Sequence, residues 1–464
     1  MAVKIIEKLI FCRVKEEKIR EKGRNFPKAV GKPEKLWYNQ LRILKKAPGR
    51  IDERTDRMSQ KPNKFVYRFV QFLCFIVAKV IFRRRYLRNE IKGKKGPFVV
   101  IANHACALDF VNLIGATKTP MTFVISNTFY TTLPFKAFMD RIGVIPKQQF
   151  QTFLSDLYKM KAAVKNDGIL VIYPAGLMCE DGQSTPIPVA TYDFLRWMKA
   201  DVYMARTIGT YFAMPKWAKG MRAGRTYIDI YKLFDREELA ALDDEALKTR
   251  TNEALLFDSY EEQEEHLVKY AGGDRVEGLE NVLYQCPHCG TEYAVRPKDK
   301  RTLACAVCGY EQESDKYGFF HNKKGIGREI RHVSAWSRRI YEDLKARVKT
   351  GEAGEMSLPA RIRRIDTEQR KFLDIGEGVV TVGGGCLRID GIPVGEENSV
   401  SVPLTNFASL PFSPGKYFEI QQGEGTYRCY PSDGRTVMKF VNLVKIHYEL
   451  NTASRQRPKR TARA

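Results

Sequence analysis

The amino-acid sequence predicts a mixed α/β protein: a layered α/β domain with a largely parallel sheet, a small cysteine-rich unit, and a β-rich domain with a terminal helix. Between residues 97 and 230, short apolar runs alternate with helix-like segments, which is typical of parallel sheets. Between residues 286 and 309 stand two Cys-x-x-Cys pairs, each followed by glycine. Beyond residue 358, short alternating strands separated by Gly and Pro turns predict the β-rich domain.

The charge of the chain indicates a polyanionic partner. Lys and Arg number 78 against 54 Asp and Glu in 464 residues, which gives a net charge of +24. Such an excess favours contact with anionic lipid, phosphorylated substrates or nucleic acid. Basic residues gather at 83–95 and in the tail at 455–463, whereas 234–265 is acidic and reads as a solvated helical segment.

The N-terminal part predicts a peripheral membrane protein. Residues 1–64 form a basic arm, and 65–82 is an apolar run that is too short and too charged to span a bilayer, which takes about 20 apolar residues. Arg68, Gln71 and Lys79 fall on one helical stripe and predict a narrow polar face. We expect a helix in the membrane interface followed by the basic cluster; a core-packed helix is the alternative.

No secretory signal precedes these residues, because a sustained apolar stretch with a cleavage site is missing from the first positions. The predicted location is therefore cytoplasmic, peripheral on the cytoplasmic face of a membrane. Disulfides are not expected in that compartment.

A histidine and an aspartate follow the apolar run at 97–102. Residues 103–109 read Asn-His-Ala-Cys-Ala-Leu-Asp. In one unbroken helix, side chains five positions apart point about 140° away from each other. If they act together, the chain must bend, with His104 on the turn and Asp109 in the following helix. A carboxylate that orients an imidazole base is half of a catalytic triad; a capped turn holding a structural His is the alternative.

His-x-x-x-x-Asp after a strand resembles the first motif of the 1-acylglycerol-3-phosphate acyltransferases, a family of glycerolipid acyltransferases. Residues 140–147, Asp-Arg-Ile-Gly-Val-Ile-Pro-Lys, resemble the second motif of this family. Residues 168–176, which end in Tyr-Pro-Ala-Gly, resemble the third motif, usually Phe-Pro-Glu-Gly. Residues 202–210 resemble the fourth motif more weakly. The order and spacing of the motifs agree over roughly 65–260.

The resemblance implies an acyltransferase domain over residues 65–270. It implies transfer of a fatty acyl group from acyl-CoA or acyl carrier protein to a hydroxyl of a lysophosphatidic acid-like glycerolipid. His104 would be the general base and Asp109 its orienting partner. Contacts with the substrate or its phosphate would come from five further residues: Asn103, Arg141, Lys147, Gly176 and Arg206.

Two positions depart from the family pattern. Lys147 stands where the family has Arg, and lysine lacks the planar two-pronged geometry of a guanidinium. Ala175 stands where the third motif has Glu; Glu180 and Asp181 lie nearby. The identity of the acceptor is therefore open. A degenerate acyltransferase fold that binds lipid without catalysis is the alternative function.

The two Cys-x-x-Cys pairs predict a metal site. Cys286, Cys289, Cys305 and Cys308 supply four thiolates at a spacing typical of zinc ribbons, and four protein ligands indicate a structural zinc in a ribbon over 271–325. His288 is predicted to be a surface residue rather than a ligand. A basic chain with a zinc ribbon can bind nucleic acid, but the basic cluster beside an apolar helix favours a membrane, so nucleic acid is not expected as a partner.

The last part of the chain divides into a helix with a linker, 326–354, and a β-rich domain, 355–464. Within that domain five strands are predicted, at 378–382, 386–390, 399–403, 416–420 and 426–430. A helix with an apolar stripe follows over 436–450. By the order of its elements this part resembles a pleckstrin-homology-like domain with a basic tail. Whether it binds lipid headgroups or packs on the preceding domain is open.

Overall fold

A computed structural model describes residues 62–133, 136–151, 153–165, 167–272, 274–393, 398–423 and 425–456. The predicted basic arm, apart from residues 62–64, and most of the basic tail lie outside these ranges. The chain builds one mostly parallel sheet, one small antiparallel sheet and one large antiparallel sheet.

Seven strands form the mostly parallel sheet, in the order β1-β7-β6-β2-β5-β3-β4. Their bounds are β1 Arg85–Asn89, β2 Phe98–Ala102, β3 Met121–Ser126, β4 Ile145–Lys147, β5 Ile169–Ile172, β6 Asp201–Ile208 and β7 Tyr227–Phe234. All neighbours pair in parallel except β6 with β7, which are antiparallel. This sheet, together with the β-rich C-terminal part and its terminal helix, confirms the predicted fold class.

Ten helices accompany this sheet in the part of the chain described up to residue 266. They are α1 Lys64–Val80, α2 Asp109–Leu113, α3 Asn127–Thr132, α4 Lys136–Ile142, α5 Leu154–Lys165, α6 Ala190–Met198, α7 Thr210–Ala213, α8 Arg236–Ala241, α9 Asp244–Leu255 and α10 Ser259–His266. Two apolar cores lie against the sheet. In β2, Phe98, Val100 and Ala102 belong to one core, and Val99 and Ile101 to the other. Burial on both faces explains why β2 is a continuous apolar run.

Helix α1 is capped by Asn63, whose side-chain oxygen accepts hydrogen bonds from the backbone N–H groups of the first turn. The predicted polar stripe is wrong at Gln71, because its amide donates to the carbonyls of Ile114 (2.9 Å) and Thr117 (3.0 Å). Arg68 and Lys79 of the stripe are exposed, and exposed phenylalanines stand at 65, 69, 72 and 75. Among the described residues, no helix is long and apolar enough to cross a bilayer.

Part of the predicted basic cluster is built into the sheet. Residues 85–89 form the edge strand β1, which the sequence analysis did not predict. Arg88 makes a two-pronged ion pair with Asp229 of β7, at 2.7 and 2.6 Å. Lys94 donates to the hydroxyl of Tyr203 at 2.8 Å. The basic residues of this segment therefore serve the fold as well as the surface.

The cysteine-rich unit is a four-stranded antiparallel sheet in the order β11-β10-β9-β8. Its strands are β8 Val295–Pro297, β9 Thr302–Cys305, β10 Glu311–Ser314 and β11 Phe320–His321. Helix α11, Val333–Thr350, follows. Its buried Trp336 donates to the carbonyl of Gln285 at 3.0 Å, which ties the helix to the first cysteine pair.

The C-terminal domain is a seven-stranded antiparallel sheet followed by helix α12, Val437–Gln456. The sheet order is β15-β14-β13-β12-β18-β17-β16. Its strands are β12 Met356–Asp366, β13 Lys371–Gly383, β14 Cys386–Asp390, β15 Ser399–Pro403, β16 Phe412–Ser413, β17 Tyr417–Gln422 and β18 Gly425–Pro431. The sequence pattern did not predict β12, β16 or the first half of β13. The ring of Phe440 in α12 stacks on Phe418 at 4.3 Å between centroids.

Candidate active site

His104 lies just beyond the carboxyl end of the central strand β2, the edge at which open parallel sheets hold their ligands. Asp109 is the first residue of α2, so the bend that the spacing predicts separates the two residues. His104 Nδ1 lies 3.0 Å from Asp109 Oδ2. The structure thus brings this predicted pair into direct contact.

The carboxylate of Asp109 is held rigidly. Its side chain is fully buried, and Oδ2 also accepts hydrogen bonds from the backbone N–H groups of Ala105 (2.8 Å) and Cys106 (2.9 Å). Because a carboxylate only accepts, it favours the tautomer in which His104 Nδ1 carries the proton and Nε2 holds a free lone pair. The His104 side chain is 22% exposed, so a substrate can reach the ring.

Asn103 has a structural role in this arrangement. Its side chain is buried, donates to the carbonyl of Thr207 (2.9 Å) and accepts from the Thr207 backbone N–H (2.8 Å). The Thr207 hydroxyl also reaches Asn103 Oδ1 (3.1 Å) and Asp109 Oδ1 (3.4 Å). Asn103 thereby links β2 to β6 behind the pair, and these bonds occupy the amide for which the resemblance implied a substrate contact.

The His104 ring rests on the loop that follows β5. The ring of Tyr173 lies 4.5 Å from it, centroid to centroid, and the backbone N–H of Cys179 donates to the His104 carbonyl at 3.1 Å. Burial raises the pKa of the Tyr173 hydroxyl well above its usual value, so it stays neutral beside Asp109. We call residues 174–181 the third-motif loop. It forms one wall of the site.

Cys106 is not a nucleophile in this environment. Its thiol is fully buried, and burial together with the nearby Asp109 raises its pKa well above the usual value. A neutral, buried thiol is a packing group.

Gly176 makes the turn of the third-motif loop. Its backbone N–H donates to the Tyr173 carbonyl (3.0 Å), and its φ of +69° is one that glycine adopts without strain. Its carbonyl accepts from the side chain of Gln149 at 2.6 Å. The oxygen of the same amide meets the Ser126 hydroxyl at 3.2 Å. Gln149 thus joins the loops that follow β3, β4 and β5.

Lys147 ends β4 at the same edge. Its ammonium donates to the carbonyls of Gln148 (3.1 Å) and Gln151 (2.6 Å), so it closes its own loop and has one donor left. Burial lowers its pKa to about 8, and the nearby Asp156 opposes that shift. Arg141, at the end of α4, is exposed.

Two other acidic or basic candidates are engaged elsewhere. Arg206 leaves β6 on the face opposite Thr207 and pairs with the buried Glu262 of α10 at 2.8 Å. Burial raises the pKa of Glu262 to about 7 even beside this arginine. Glu180 is buried and pairs with Lys445 of α12 at 2.6 Å. Glu180 therefore does not replace the carboxylate that the third motif usually has at the position of Ala175.

The four cysteines of the small sheet converge, with all sulfurs within 4.8 Å of one another. Sγ of Cys286 lies 3.7 Å from that of Cys308, and Sγ of Cys289 lies 3.8 Å from that of Cys305. Four sulfurs at 2.3 Å from one zinc ion would stand about 3.8 Å apart, and the Cys286–Cys308 and Cys289–Cys305 distances match that value. It can bind a metal ion, and His288 is exposed outside it.

Sequence reasoning missed Thr207, Tyr173, Cys179 and Gln149. Tyr173 lies inside the third motif and Cys179 three residues beyond it, so the motif offered a partial signal. Thr207 lies in the segment 202–210, but its contact with Asn103 follows from the parallel register of β2 with β6, in which Ala102 stands opposite Ala205.

Part of the chain is similar to a known protein family. Residues 82–213 match the family model described as Acyltransferase, a range that includes His104, Asp109, Lys147 and the third-motif loop. No curated protein sequence matches the chain. Among solved structures, the 1-acyl-sn-glycerophosphate (LPA) acyltransferase from Thermotoga maritima aligns with 47% of this chain and 93% of its own, at 15% identity and a TM-score of 0.34. The family match assigns an acyltransferase domain to residues 82–213.

Proposed function

We propose that the protein is an O-acyltransferase that moves a fatty acyl group from a thioester to a hydroxyl of a lysophosphatidic acid-like glycerolipid at a membrane surface. One observation carries the proposal: a reachable imidazole, held by a fully buried carboxylate, stands within the range matched by the Acyltransferase family. The donor in this proposal is acyl-CoA or acyl carrier protein.

In the proposed reaction, His104 Nε2 takes the proton of the acceptor hydroxyl while the hydroxyl oxygen attacks the thioester carbonyl carbon. Asp109 stabilises the imidazolium that forms. The tetrahedral intermediate then collapses, the carbon–sulfur bond breaks, and the departing thiolate takes the proton from His104. General base assistance of this kind is worth about 10²- to 10⁴-fold in rate.

The acceptor phosphate would meet the basic groups near β4, namely Lys147 and the exposed Arg141. The exposed phenylalanines of α1 support action at a membrane, since an amphipathic helix buries such side chains among lipid headgroups and acyl chains. We also propose that the four cysteines hold zinc in a structural role, because four protein ligands leave no open coordination position.

The test is turnover by the purified protein. Labelled acyl-CoA and acyl carrier protein are offered with a panel of lysophospholipids, and lipid products are identified by mass spectrometry. We expect a product with the wild type and a loss of about 10²- to 10⁴-fold with His104→Ala. His321→Ala is the matched control, because His321 also pairs with a carboxylate at 3.0 Å, that of Asp315, but lies in the sheet of the cysteine-rich unit.

Retained turnover in His104→Ala would remove His104 from the mechanism. Silence of the wild type across the whole panel, with vesicle binding intact, would favour the second candidate, a lipid-binding protein without catalysis. The observation behind that candidate is Ala175, which leaves the third motif without its usual carboxylate.

A further inference from the structure

The C-terminal domain packs on the same edge of the parallel sheet that carries His104. Arg370, in the turn between β12 and β13, donates to the carbonyl of Leu133 at 2.5 Å, beyond β3. Gln148, just beyond β4, donates to the Thr426 hydroxyl of β18 at 3.0 Å. The loops that follow two strands of the acyltransferase domain are thus hydrogen-bonded to the C-terminal sheet.

The third-motif loop, which follows β5, is held by charge. Glu180 accepts from the ammonium of Lys445 at 2.6 Å, and both side chains are mostly buried. Burial opposes the charge of each group, yet their attraction prevails, so the pKa of Glu180 is lowered and that of Lys445 is raised. Removing one member of such a pair leaves a buried charge without its partner, which is strongly unfavourable.

A second lysine reinforces this contact. The ammonium of Lys216 reaches the Met178 carbonyl at 3.4 Å and lies 3.4 Å from the ring centre of Phe412 in β16. Phe412 also lies 6.0 Å below the ammonium of Lys445. Both cations that approach the third-motif loop therefore lie within cation–π distance of the Phe412 ring.

The same loop touches the proposed base on its other side. Within the loop, Cys179 donates its backbone N–H to the His104 carbonyl, and its thiol faces the Ala105 carbonyl at 3.8 Å. A peptide N–H and the preceding C=O point in opposite directions. The Met178–Cys179 peptide hence faces His104 with one side and Lys216 with the other, and the loop is clamped between the base and the C-terminal domain.

We propose that Lys445 is a positioning residue through which the C-terminal domain holds the third-motif loop against His104 and thereby sets the affinity for the acyl acceptor. This inference rests on the proposed function for its effect on the acceptor. The holding of the loop is a separate statement that can be measured without turnover.

The experiment compares Lys445→Met with Lys439→Met in the full chain. Lys439 lies on the same helix, is 17% exposed like Lys445, and pairs at the same 2.6 Å with Glu292, which belongs to the cysteine-rich unit. Hydrogen exchange of the backbone amides is measured by mass spectrometry. We expect faster exchange over residues 174–181 in Lys445→Met, including the Cys179 amide, and unchanged exchange there in Lys439→Met. Glu180→Gln, which removes the charge from the loop side, should reproduce the effect.

Kinetics then measure the consequence for the acceptor. Lys445→Met should raise the acceptor KM about tenfold with the donor KM unchanged, since a displaced loop weakens positioning at the reacting centre. Lys445→Arg, which keeps the charge, should have the acceptor KM of the wild type. Unchanged exchange over 174–181 in both Lys445→Met and Glu180→Gln, or an equal rise in Lys439→Met, would overturn the inference. A wild type without turnover would instead refute the proposed function and leave the exchange result to decide the positioning role.

Discussion

At the scale of single residues, the pairing of His104 with Asp109 follows from local chain geometry. A tight turn after β2 and the start of α2 bring two side chains, five positions apart, to 3.0 Å. The role of Asn103 depends instead on its neighbour across the sheet. Its side chain is hydrogen-bonded to Thr207, more than a hundred positions later in the chain, and no local sequence pattern predicts that bond.

The charge of Lys147 should make stability depend on pH. Its pKa is lowered to about 8 from 10.5, so between these values the folded chain binds fewer protons than the unfolded chain. The free energy of unfolding therefore rises with pH in this window, by an amount on the order of 1–3 kcal/mol for this group. In urea unfolding at pH 7.5 and 9.5, Lys147→Met should show a smaller rise than the wild type.

Lys216 has a pKa near the same value, about 8, and remains in both proteins, so the difference between them isolates Lys147. An equal rise in the two proteins would mean that the Lys147 ammonium is not destabilised by burial.

At the scale of elements, α1 shows how an amphipathic helix can be misjudged by its polar residues. Gln71 lies on the stripe predicted to face solvent, yet its amide donates hydrogen bonds to carbonyls of the turn after α2. The outward face is defined by phenylalanines, which a hydrophobic core would normally cover. An exposed aromatic face of this kind marks an interaction surface.

The double variant Phe69→Asp with Phe72→Asp tests this surface. Each phenylalanine buried in lipid contributes about 1.5–3 kcal/mol, so affinity for anionic vesicles should fall at least about tenfold in sedimentation assays. The melting temperature should stay unchanged, because both side chains are exposed. Val189→Asp is the control, since Val189 is 75% exposed on another element. Full binding by the double variant would exclude α1 as the contact.

The cysteine cluster is an element whose stability should depend on its metal. We expect one zinc ion per chain by elemental analysis, and none in Cys289→Ser. A chelator should lower the melting temperature, while turnover of protein that remains folded stays the same, because the cluster and His104 belong to different sheets. Cys386→Ser, which changes a cysteine outside the cluster, should keep its zinc. Loss of turnover in folded, metal-free protein would contradict a structural role.

At the scale of the whole molecule, one apolar core connects the parallel sheet, the small sheet and the C-terminal domain within the described residues. It runs from Tyr67 of α1 through Leu303 of the small sheet and Trp336 of α11 to Phe418 and Phe440 of the C-terminal domain. Such continuity makes independent unfolding of these parts unfavourable, since each would expose apolar surface of its neighbours.

We therefore expect a single calorimetric transition for the full chain. Trp336→Ala should lower the temperature of that whole transition, with a loss of about 3–5 kcal/mol typical for a buried tryptophan. Two or more separate transitions in the variant, with the main one unmoved, would show that the small sheet and α11 unfold on their own.

Elements and motifs with local signals can be predicted from the sequence of this protein. Strands 386–390 and 399–403 are predicted at their observed bounds, because apolar runs and turn residues encode them directly. The bend between His104 and Asp109 and the spacing of the four cysteines are likewise local.

The long-range partners of the site residues become known from the tertiary structure alone. It assigned Glu180 to Lys445, Arg206 to Glu262 and Asn103 to Thr207, partners between 56 and 265 positions apart in the chain. It also placed the C-terminal domain on the edge that bears His104. Pairings of this kind depend on how sheets and helices pack across long loops. Periodicity and spacing predict the secondary structure to which a residue belongs. They do not predict which residues of distant segments pack against it.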